Sequence, residues 1–311
     1  GKLDAGDVTR IFVEVPPGAH SMHLGLTIPG GAYGNVWLAP FTPEGHAHEA
    51  YEERASSVDR LSGALEIAGA DLAPGTWEVA LAAPLQNRGT SRFELTIDFV
   101  ALDAPDALAL STTTGGDVEG TVALVNGMAD PFRGDVAATI DAFEREREIT
   151  VKGDRTRIPI EIGPGARGVD VELSVTPELW NRFTDIAVNL LDANGHAVEQ
   201  TAFGERLARL SFEGGPGSYT LEVVGGLTTR EDKRDWKLGM IERHRLAAPI
   251  AMRVSSPAGT PLTLYPGVRT ELSLSGAAPT QVPDGFHHRA TIVLTDRDGS
   301  RWARLVLPIT R

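Results

Sequence analysis

The chain has 311 residues, 41% of them hydrophobic and 23% charged, and this composition excludes a collagen-like or disordered polypeptide. The net charge is −13, with 29 Lys and Arg interspersed among 42 Asp and Glu. Nucleic acids and anionic membranes need a basic surface on their partner, so neither is an expected partner. No apolar run approaches the roughly 20 residues that span a bilayer, so we expect no membrane insertion.

The chain contains no cysteine, which excludes disulfides, thiolate metal sites and a cysteine nucleophile. Glycine and proline number 34 and 20, whereas aromatic residues make up only 6%. Such frequent turn residues favour many short β-strands over long helices. Residues 1–10 lack the charged-then-apolar pattern of a signal peptide.

The first predicted strands belong to an internal repeat, which is the most informative feature of the sequence. Residues 6–19 read GDVTRIFVEVPPGA and residues 153–166 read GDRTRIPIEIGPGA, so nine of fourteen positions are identical at an offset of 147. The copies match again where PGTW at 74–77 corresponds to PGSY at 216–219. In both copies the apolar residues alternate with the period of two that is typical of half-buried strands.

We therefore predict an all-β protein of tandem β-sandwiches in a duplicated A-B-A-B arrangement. The jelly-roll-like sandwiches A1 and A2 comprise residues 1–104 and 153–248, and smaller Ig-like sandwiches B1 and B2 comprise residues 105–152 and 249–311. The dipeptide Asn194-Gly195 predicts a tight primed turn in A2, because both central residues of that turn need positive φ. Two loops are expected to hold short helices, at residues 49–60 and 177–183.

Three residues are candidates for hydrolytic chemistry. Ser91 follows Gly-Thr, as a subtilisin nucleophile does, but it precedes Arg-Phe and a predicted strand, so a polar loop before a strand is the favoured interpretation. His46 and His48 lie two positions apart, which would place both imidazoles on one strand face, where they could bind zinc with a third ligand. A solvated hairpin arm is favoured for them, and no catalytic residue is assigned.

Asp296 and Asp298 resemble the start of a calcium-binding loop, although a hairpin turn explains their spacing better. We expect no cofactor beyond adventitious calcium at this turn. The alternating charges of residues 144–148 predict a solvated strand face with cross-strand ion pairs. Tyr33, Trp37 and Trp180 could form a platform for carbohydrate, but Trp37 lies in an alternating strand and is expected to fill the core.

The repeated segments resemble a known family of β-sandwich. Residues 11–19 (IFVEVPPGA) and 73–79 (APGTWEV), with their counterparts at 158–166 (IPIEIGPGA) and 215–223 (GPGSYTLEV), look like the pre-peptidase C-terminal type of domain. The tandem arrangement also resembles the β-rich region downstream of the catalytic domain in tripeptidyl peptidase II and related subtilisin-like serine peptidases. The resemblance covers the two A copies, about two thirds of the chain.

The resemblance implies a non-catalytic accessory region of a subtilisin-family peptidase, which serves stability, assembly or docking. It implies the parent catalytic domain or sister subunits as partners. The loops in which the two A copies differ most should carry such a contact, with Tyr51, Trp180 and Phe183 as candidate apolar anchors, or alternatively as caps on their own sandwich. It also implies an extracellular or cell-surface location, or a cytoplasmic one if the protein is similar to tripeptidyl peptidase II. A carbohydrate-binding or adhesive surface module is the alternative, and an independent hydrolase using His46, His48 or Ser91 is the third interpretation.

Overall fold

The computed structural model describes residues 1–45, 47–48, 53–57, 59–68, 71–181, 183–203, 206–227, 235–257, 259–297, 299 and 301–310. Within these residues the regular elements are β-strands and one four-residue α-helix. The predicted all-β fold class is therefore confirmed. No helix in the described part of the chain has the length and apolar character needed to cross a membrane.

The first module, A1, has three sheets. Its strands are β1 (Lys2–Leu3), β2 (Val8–Val15), β3 (Ser21–Thr27), β4 (Asn35–Phe41), β5 (Glu53–Ser56), β6 (Gly63–Ala68), β7 (Gly75–Ala82), β8 (Ser91–Arg92) and β9 (Glu94–Val100). A four-stranded sheet has the order β2-β7-β4-β5, a three-stranded sheet has the order β6-β3-β9, and β1 pairs with β8. Both larger sheets contribute buried side chains to one hydrophobic core, as the alternating sequence pattern predicts.

The second A module repeats this strand order. After β10 (Leu102–Asp103), β11 (Leu108–Thr112), β12 (Asp117–Asn126) and β13 (Phe132–Val151) come β14 (Arg155–Ile162), β15 (Ala166–Ser174), α1 (Pro177–Trp180), β16 (Phe183–Leu191), β17 (Ala197–Ala202), β18 (Leu207–Glu213), β19 (Gly217–Leu227) and β20 (Trp236–Ser255). The order β14-β19-β16-β17 corresponds strand by strand to β2-β7-β4-β5, and β18-β15-β20 corresponds to β6-β3-β9. The sequence repeat is therefore a repeat of topology.

The repeat extends to a side-chain hydrogen bond at the start of one strand. Trp77 Nε1 donates to the carbonyl of Ala73 at 2.8 Å, and Tyr219 Oη donates to the carbonyl of Gly215 at 3.2 Å. The two aromatic residues occupy equivalent positions of the copies, and each donates four residues upstream. An aromatic side chain with a polar tip can pack against the core while bonding the turn that precedes its strand.

The B segments differ from the two separate sandwiches that were expected. The remaining strands are β21 (Leu262–Leu264), β22 (Arg269–Ala277), β23 (His287–Asp296) and β24 (Arg301–Thr310). Pairing runs from β20 through β22, β12, β11, β24, β23 and β13 back to β20, so seven strands from both segments close into one barrel. Residues of both segments form a single core cluster. Closure removes the free edges that each short segment would have alone.

Two long strands join this barrel to A2. Strand β13 pairs with β20 from Ala138↔Met252 to Val151↔Trp236, with a bulge between Ile140 and Ala142. The first half of β13 contributes to the barrel core, and its second half contributes Val151 to the A2 core. The expected boundaries near residues 152 and 249 thus fall at the end of one continuous strand and inside another.

Of three local predictions, two need correction and one is confirmed. The helix expected within residues 49–60 is absent over its described part, which contains strand β5, whereas the turn of helix after Pro177 is present as α1. Gly195 has φ 82°, but Asn194 does not adopt positive φ, so the A2 hairpin is not the primed turn expected. The main-chain N–H of Gly195 donates to the carbonyl of Asp192 at 2.9 Å. This fits a type I turn followed by a residue with positive φ.

Candidate functional site

Ser91 is enclosed by polar groups inside A1. It opens strand β8 and is fully buried. Its hydroxyl accepts hydrogen bonds from Asn87 Nδ2 at 2.8 Å and from the main-chain N–H of Asn35 at 3.3 Å. A serine nucleophile needs an adjacent base and access to substrate. In this arrangement Ser91 instead ties the loop before β8 to strand β4.

The two histidines of the possible zinc site are not both described. The ring of His48 lies 5.8 Å from the buried Trp77 ring, at an angle of 50°. Burial lowers the pKa of His48 below its ordinary value, and the nearby Asp71 only partly offsets this effect. His46 lies outside the described residues. His48 therefore has a neutral imidazole at neutral pH, placed at the edge of the A1 core.

The calcium candidate Asp296 ends strand β23. Its carbonyl accepts the N–H of Gly299 at 3.0 Å, which is the bond of a tight turn leading towards β24. Asp298 lies outside the described residues. Among the residues that the structure does describe, no three His, Asp or Glu side chains lie close enough together to hold a metal ion.

The interface candidates have different environments. Phe183 is only 8% exposed and packs 4.7 Å from the Trp236 ring in the A2 core. A side chain so buried has little surface for a partner, so Phe183 is a core residue and not an interface anchor. Trp180 is half-buried and stacks 6.2 Å from Phe203, and Tyr51 lies outside the described residues. An interface role for Trp180 remains a prediction.

Trp37 was expected in the core, but the structure places it on the outer face of the A1 sheet. Its side chain is 38% exposed, while its neighbours Val36 and Leu38 are buried. Tyr33 is 36% exposed, and its hydroxyl accepts the main-chain N–H of Arg88 at 2.9 Å. Alternation puts every second residue of a strand on the core side, but it does not say which face is the core.

A cleft of about 1010 Å³ lies where A1, A2 and the barrel meet, and this feature was missed from the sequence. Its titratable lining comprises Arg167, Arg209, Arg243, Arg245, Arg289, Arg304, Glu66, Asp71, Asp103, Asp106, Asp141, Asp170, Glu172 and His20. Six arginines thus face seven carboxylates, so neither sign of charge dominates. Because the lining comes from three modules, no local motif could have identified it.

The floor of the cleft is built around a buried arginine. Arg289 of β23 is 7% exposed, and its guanidinium lies 3.4 Å from the carboxylate of Asp141, the bulge residue of β13. Thr291 Oγ1 donates to the same carboxylate at 2.8 Å. Burial, and next the nearby charge of Arg243, lower the pKa of the Arg289 guanidinium. Arginine nevertheless stays protonated at neutral pH, so the bulge carries a fixed ion pair.

The walls of the cleft are joined by polar contacts between modules. Arg209 of A2 lies 3.2 Å from Asp71 of A1 and 2.8 Å from Glu172 of its own module. His20 Nε2 of A1 lies 3.2 Å from the carbonyl oxygen of Arg304 in the barrel. Charges that pair across a junction in this way orient modules relative to one another. The arrangement suits a structural junction better than a catalytic centre.

The comparison with known proteins shows a similarity between the fold of this chain and that of a solved structure. No protein-family model and no curated protein sequence matches the chain. Among solved structures, the chain is similar to tripeptidyl peptidase 2 with a TM-score of 0.51 and 14% identity, over 100% of this chain and 29% of that chain. The chain therefore shares its fold with part of that peptidase and spans less than a third of its length.

Two further structures are similar to the chain with much lower scores. One contains the M60 catalytic domain with the CBM51-1 and CBM51-2 domains of Clostridium perfringens ZmpB, with a TM-score of 0.23 and 8% identity over 79% of this chain and 34% of that chain. The other is a Ruminococcus gnavus β-glucuronidase, with a TM-score of 0.21 and 10% identity over 51% of this chain and 35% of that chain. Scores at this level carry no argument about function.

Proposed function

We propose that the chain is a non-catalytic accessory region of a subtilisin-like serine peptidase, in which it contributes to stability, assembly or docking. The main support is the fold shared with tripeptidyl peptidase 2 over the full length of this chain. The repeated sequence segments support the same family context. The burial of Ser91 and the paired charges of the intermodule cleft fit a supporting role.

The proposal is tested first by the reading frame that precedes Gly1 in the gene. We expect a subtilisin-type catalytic domain there, and a glycosidase or an anchoring domain would contradict the proposal. The second measurement is labelling with a serine-directed fluorophosphonate. The chain should remain unlabelled, and Ser91→Ala should behave identically. Labelling of the wild-type chain that disappears in Ser91→Ala would make it a hydrolase and overturn the proposal.

A carbohydrate-binding module is the second candidate, and the exposure of Trp37 favours it. Sugar rings bind to exposed aromatic faces, and the Trp37 side chain is partly exposed on the outer face of its sheet. Quenching of tryptophan fluorescence by an oligosaccharide, lost in Trp37→Ala, would support this candidate. Unchanged fluorescence across a panel of bacterial and plant polysaccharides would count against it.

A further inference from the structure

Strand β2 forms an open edge of the four-stranded A1 sheet. It pairs with β7 from Val8↔Ala82 to Val15↔Gly75. No other strand of the described chain pairs with its opposite side. An eight-residue edge therefore presents a row of main-chain N–H and C=O groups to a further strand.

The equivalent edge in A2 carries residues that prevent such pairing. Strand β14 also lies at the end of its sheet, and its Pro159 occupies the position of Phe12 in β2. Arg155 likewise occupies the position of Val8. Proline and charged residues are the usual protection of exposed edges, because proline lacks the N–H that a new strand would use. Both edges carry an arginine and a glutamate at matching positions, Arg10 and Glu14 in β2 and Arg157 and Glu161 in β14, but only the A2 edge has the proline.

The two edges also differ in how well their apolar residues are covered. Phe12 is 66% exposed on the outer face of β2, and Ile11 and Val13 on the inner face are only half-buried. The A2 counterparts of the inner residues, Ile158 and Ile160, are 5% and 0% exposed. An added strand beside β2 would cover apolar groups that A1 alone leaves in contact with water.

The charges of β2 are complementary to those of β2 in a second copy. Arg10 and Glu14 lie two positions before and two positions after Phe12, so all three share one face. When two β2 strands run antiparallel with Phe12 opposite Phe12, Arg10 of each copy faces Glu14 of the other. Opposite charges that face each other across strands stabilise the pairing, and here they occur twice.

The present partners of these charges leave them accessible. Arg10 lies 3.3 Å from Glu78, with 65% of its side chain exposed. Glu14 accepts a hydrogen bond from Thr76 Oγ1 at 2.6 Å in an exposed position. Each group can therefore contact a second copy without first being uncovered.

We propose that strand β2 is a self-association surface, through which two copies of the chain join their four-stranded sheets into one antiparallel eight-stranded sheet centred on Phe12. Such an interface is isologous, because each copy offers the same strand to the other. Pro159, the A2 counterpart of Phe12, has no N–H and still fits its sheet. The N–H of Phe12 is therefore not needed for pairing within the A1 sheet and points to the free edge. This surface does not depend on the peptidase context.

The register is tested by single cysteines, since the native chain has none. In a Phe12-centred pair the two Cα atoms at position 12 lie about 5.5 Å apart, within disulfide range. The two Cα atoms at position 8 lie about 27 Å apart. We expect mild oxidation to link Phe12→Cys chains into dimers and to leave Val8→Cys chains monomeric. Equal cross-linking of both variants, or of neither, would overturn the proposal.

The charge pattern is tested by sedimentation equilibrium. Arg10→Glu places two like-charge pairs across the interface, and we expect it to weaken the dimer roughly 10-fold. The double variant Arg10→Glu/Glu14→Arg exchanges the signs and should restore the wild-type dissociation constant. A double variant as weak as the single one would contradict the Phe12-centred register.

A proline variant separates edge pairing from other modes of association. Phe12→Pro copies the A2 residue at this position, so the strand should still form while dimers are lost. Circular dichroism checks that the variant is folded. Dimers that persist in Phe12→Pro, or a wild-type chain that is monomeric at every concentration, would refute the proposal. Neither result bears on the fluorophosphonate or reading-frame tests.

Discussion

Glu242 is the centre of a buried charge network on the A2 half of the long strand pair. It is 1% exposed and contacts Arg145 at 2.7 Å, Arg147 at 3.0 Å and His244 Nε2 at 2.9 Å. Burial alone would raise the pKa of Glu242, but the hydrogen bonds from His244 and Arg145 outweigh it and hold the pKa below its ordinary value. The alternating charges of β13 therefore form cross-strand ion pairs, as predicted. Their partner Glu242, however, is buried, whereas a solvated strand face was expected.

Replacing this carboxylate should destabilise the fold strongly. Glu242→Gln removes the charge that compensates two half-buried guanidinium groups, so we expect the free energy of unfolding to fall by about 3 kcal/mol. Glu148→Gln is the matched control, because its partner Lys237 and Glu148 itself are both mostly exposed. That variant should change stability by less than about 1 kcal/mol. Urea denaturation measures both, and equal losses would show that burial does not govern the difference.

At the level of single elements, the hairpin between β16 and β17 shows how a glycine sets a turn. Gly195 has φ 82°, and a Cβ placed on it would meet no heavy atom within 4 Å. Glycine is therefore needed at this position for its positive φ, and not because a side chain would collide with its surroundings. Asp192 supports the same turn, because its carboxylate accepts the main-chain N–H groups of Asn194 and His196 at 2.8 and 2.9 Å.

Gly195→Ala should destabilise A2 by about 1 kcal/mol, the cost of a side chain in left-handed backbone. Gly215→Ala is the control, because a Cβ added to Gly215 would also enter open space, but this glycine does not adopt positive φ. We expect the control to be neutral within about 0.5 kcal/mol. Thermal unfolding of the two variants checks this prediction, and a neutral Gly195→Ala would show that the turn relaxes without cost.

In the whole molecule, A2 and the barrel share the long strands β13 and β20, whereas A1 is joined to them by side-chain contacts and by the short strand β10 at its end, which pairs with β12. Strands β13 and β20 each contribute residues to both cores. The A1 core contains only residues from the first module, and its contacts with the rest include the Asp71–Arg209 pair. Segments whose side chains pack in a common core tend to unfold locally as one unit, so A2 and the barrel should unfold together.

Truncating a core side chain should therefore affect both A2 and the barrel when it lies in a shared strand, but only A1 when it lies in A1. Ile140→Ala, in a fully buried position of β13, should cost about 3 kcal/mol and raise hydrogen exchange in both the barrel and A2. Leu38→Ala, which is equally buried in A1, should cost a similar amount and raise exchange in A1 alone. Exchange measured by mass spectrometry separates the cases. An effect of Ile140→Ala confined to the barrel would mean that the shared strands do not couple the modules.

Much of the strand content was readable from the sequence, because a strand imposes a period of two on its own residues. Alternation in the segments around Leu24 and Val171, and the repeat at an offset of 147, indicated the A modules and their shared topology. The intermodule cleft was not readable, because Asp71, Asp141 and Arg209 lie far apart in the chain and have no common motif. The side of β4 that faces the core was not readable from the sequence either. Trp37 and Leu38 point to opposite faces, and the alternating pattern is the same whichever of them is buried.

The sequence by itself determined the all-β class, the duplication and the positions of the main turns, since these depend on dihedral preferences and on periodicity within a few residues. Only the tertiary structure decided that the B segments close into one barrel and that β13 and β20 pass through two cores. It also decided that Phe12 lies on an open edge while Phe183 lies inside. The physical reason is that strand pairing and burial depend on which distant segments meet, and a local pattern leaves that choice open.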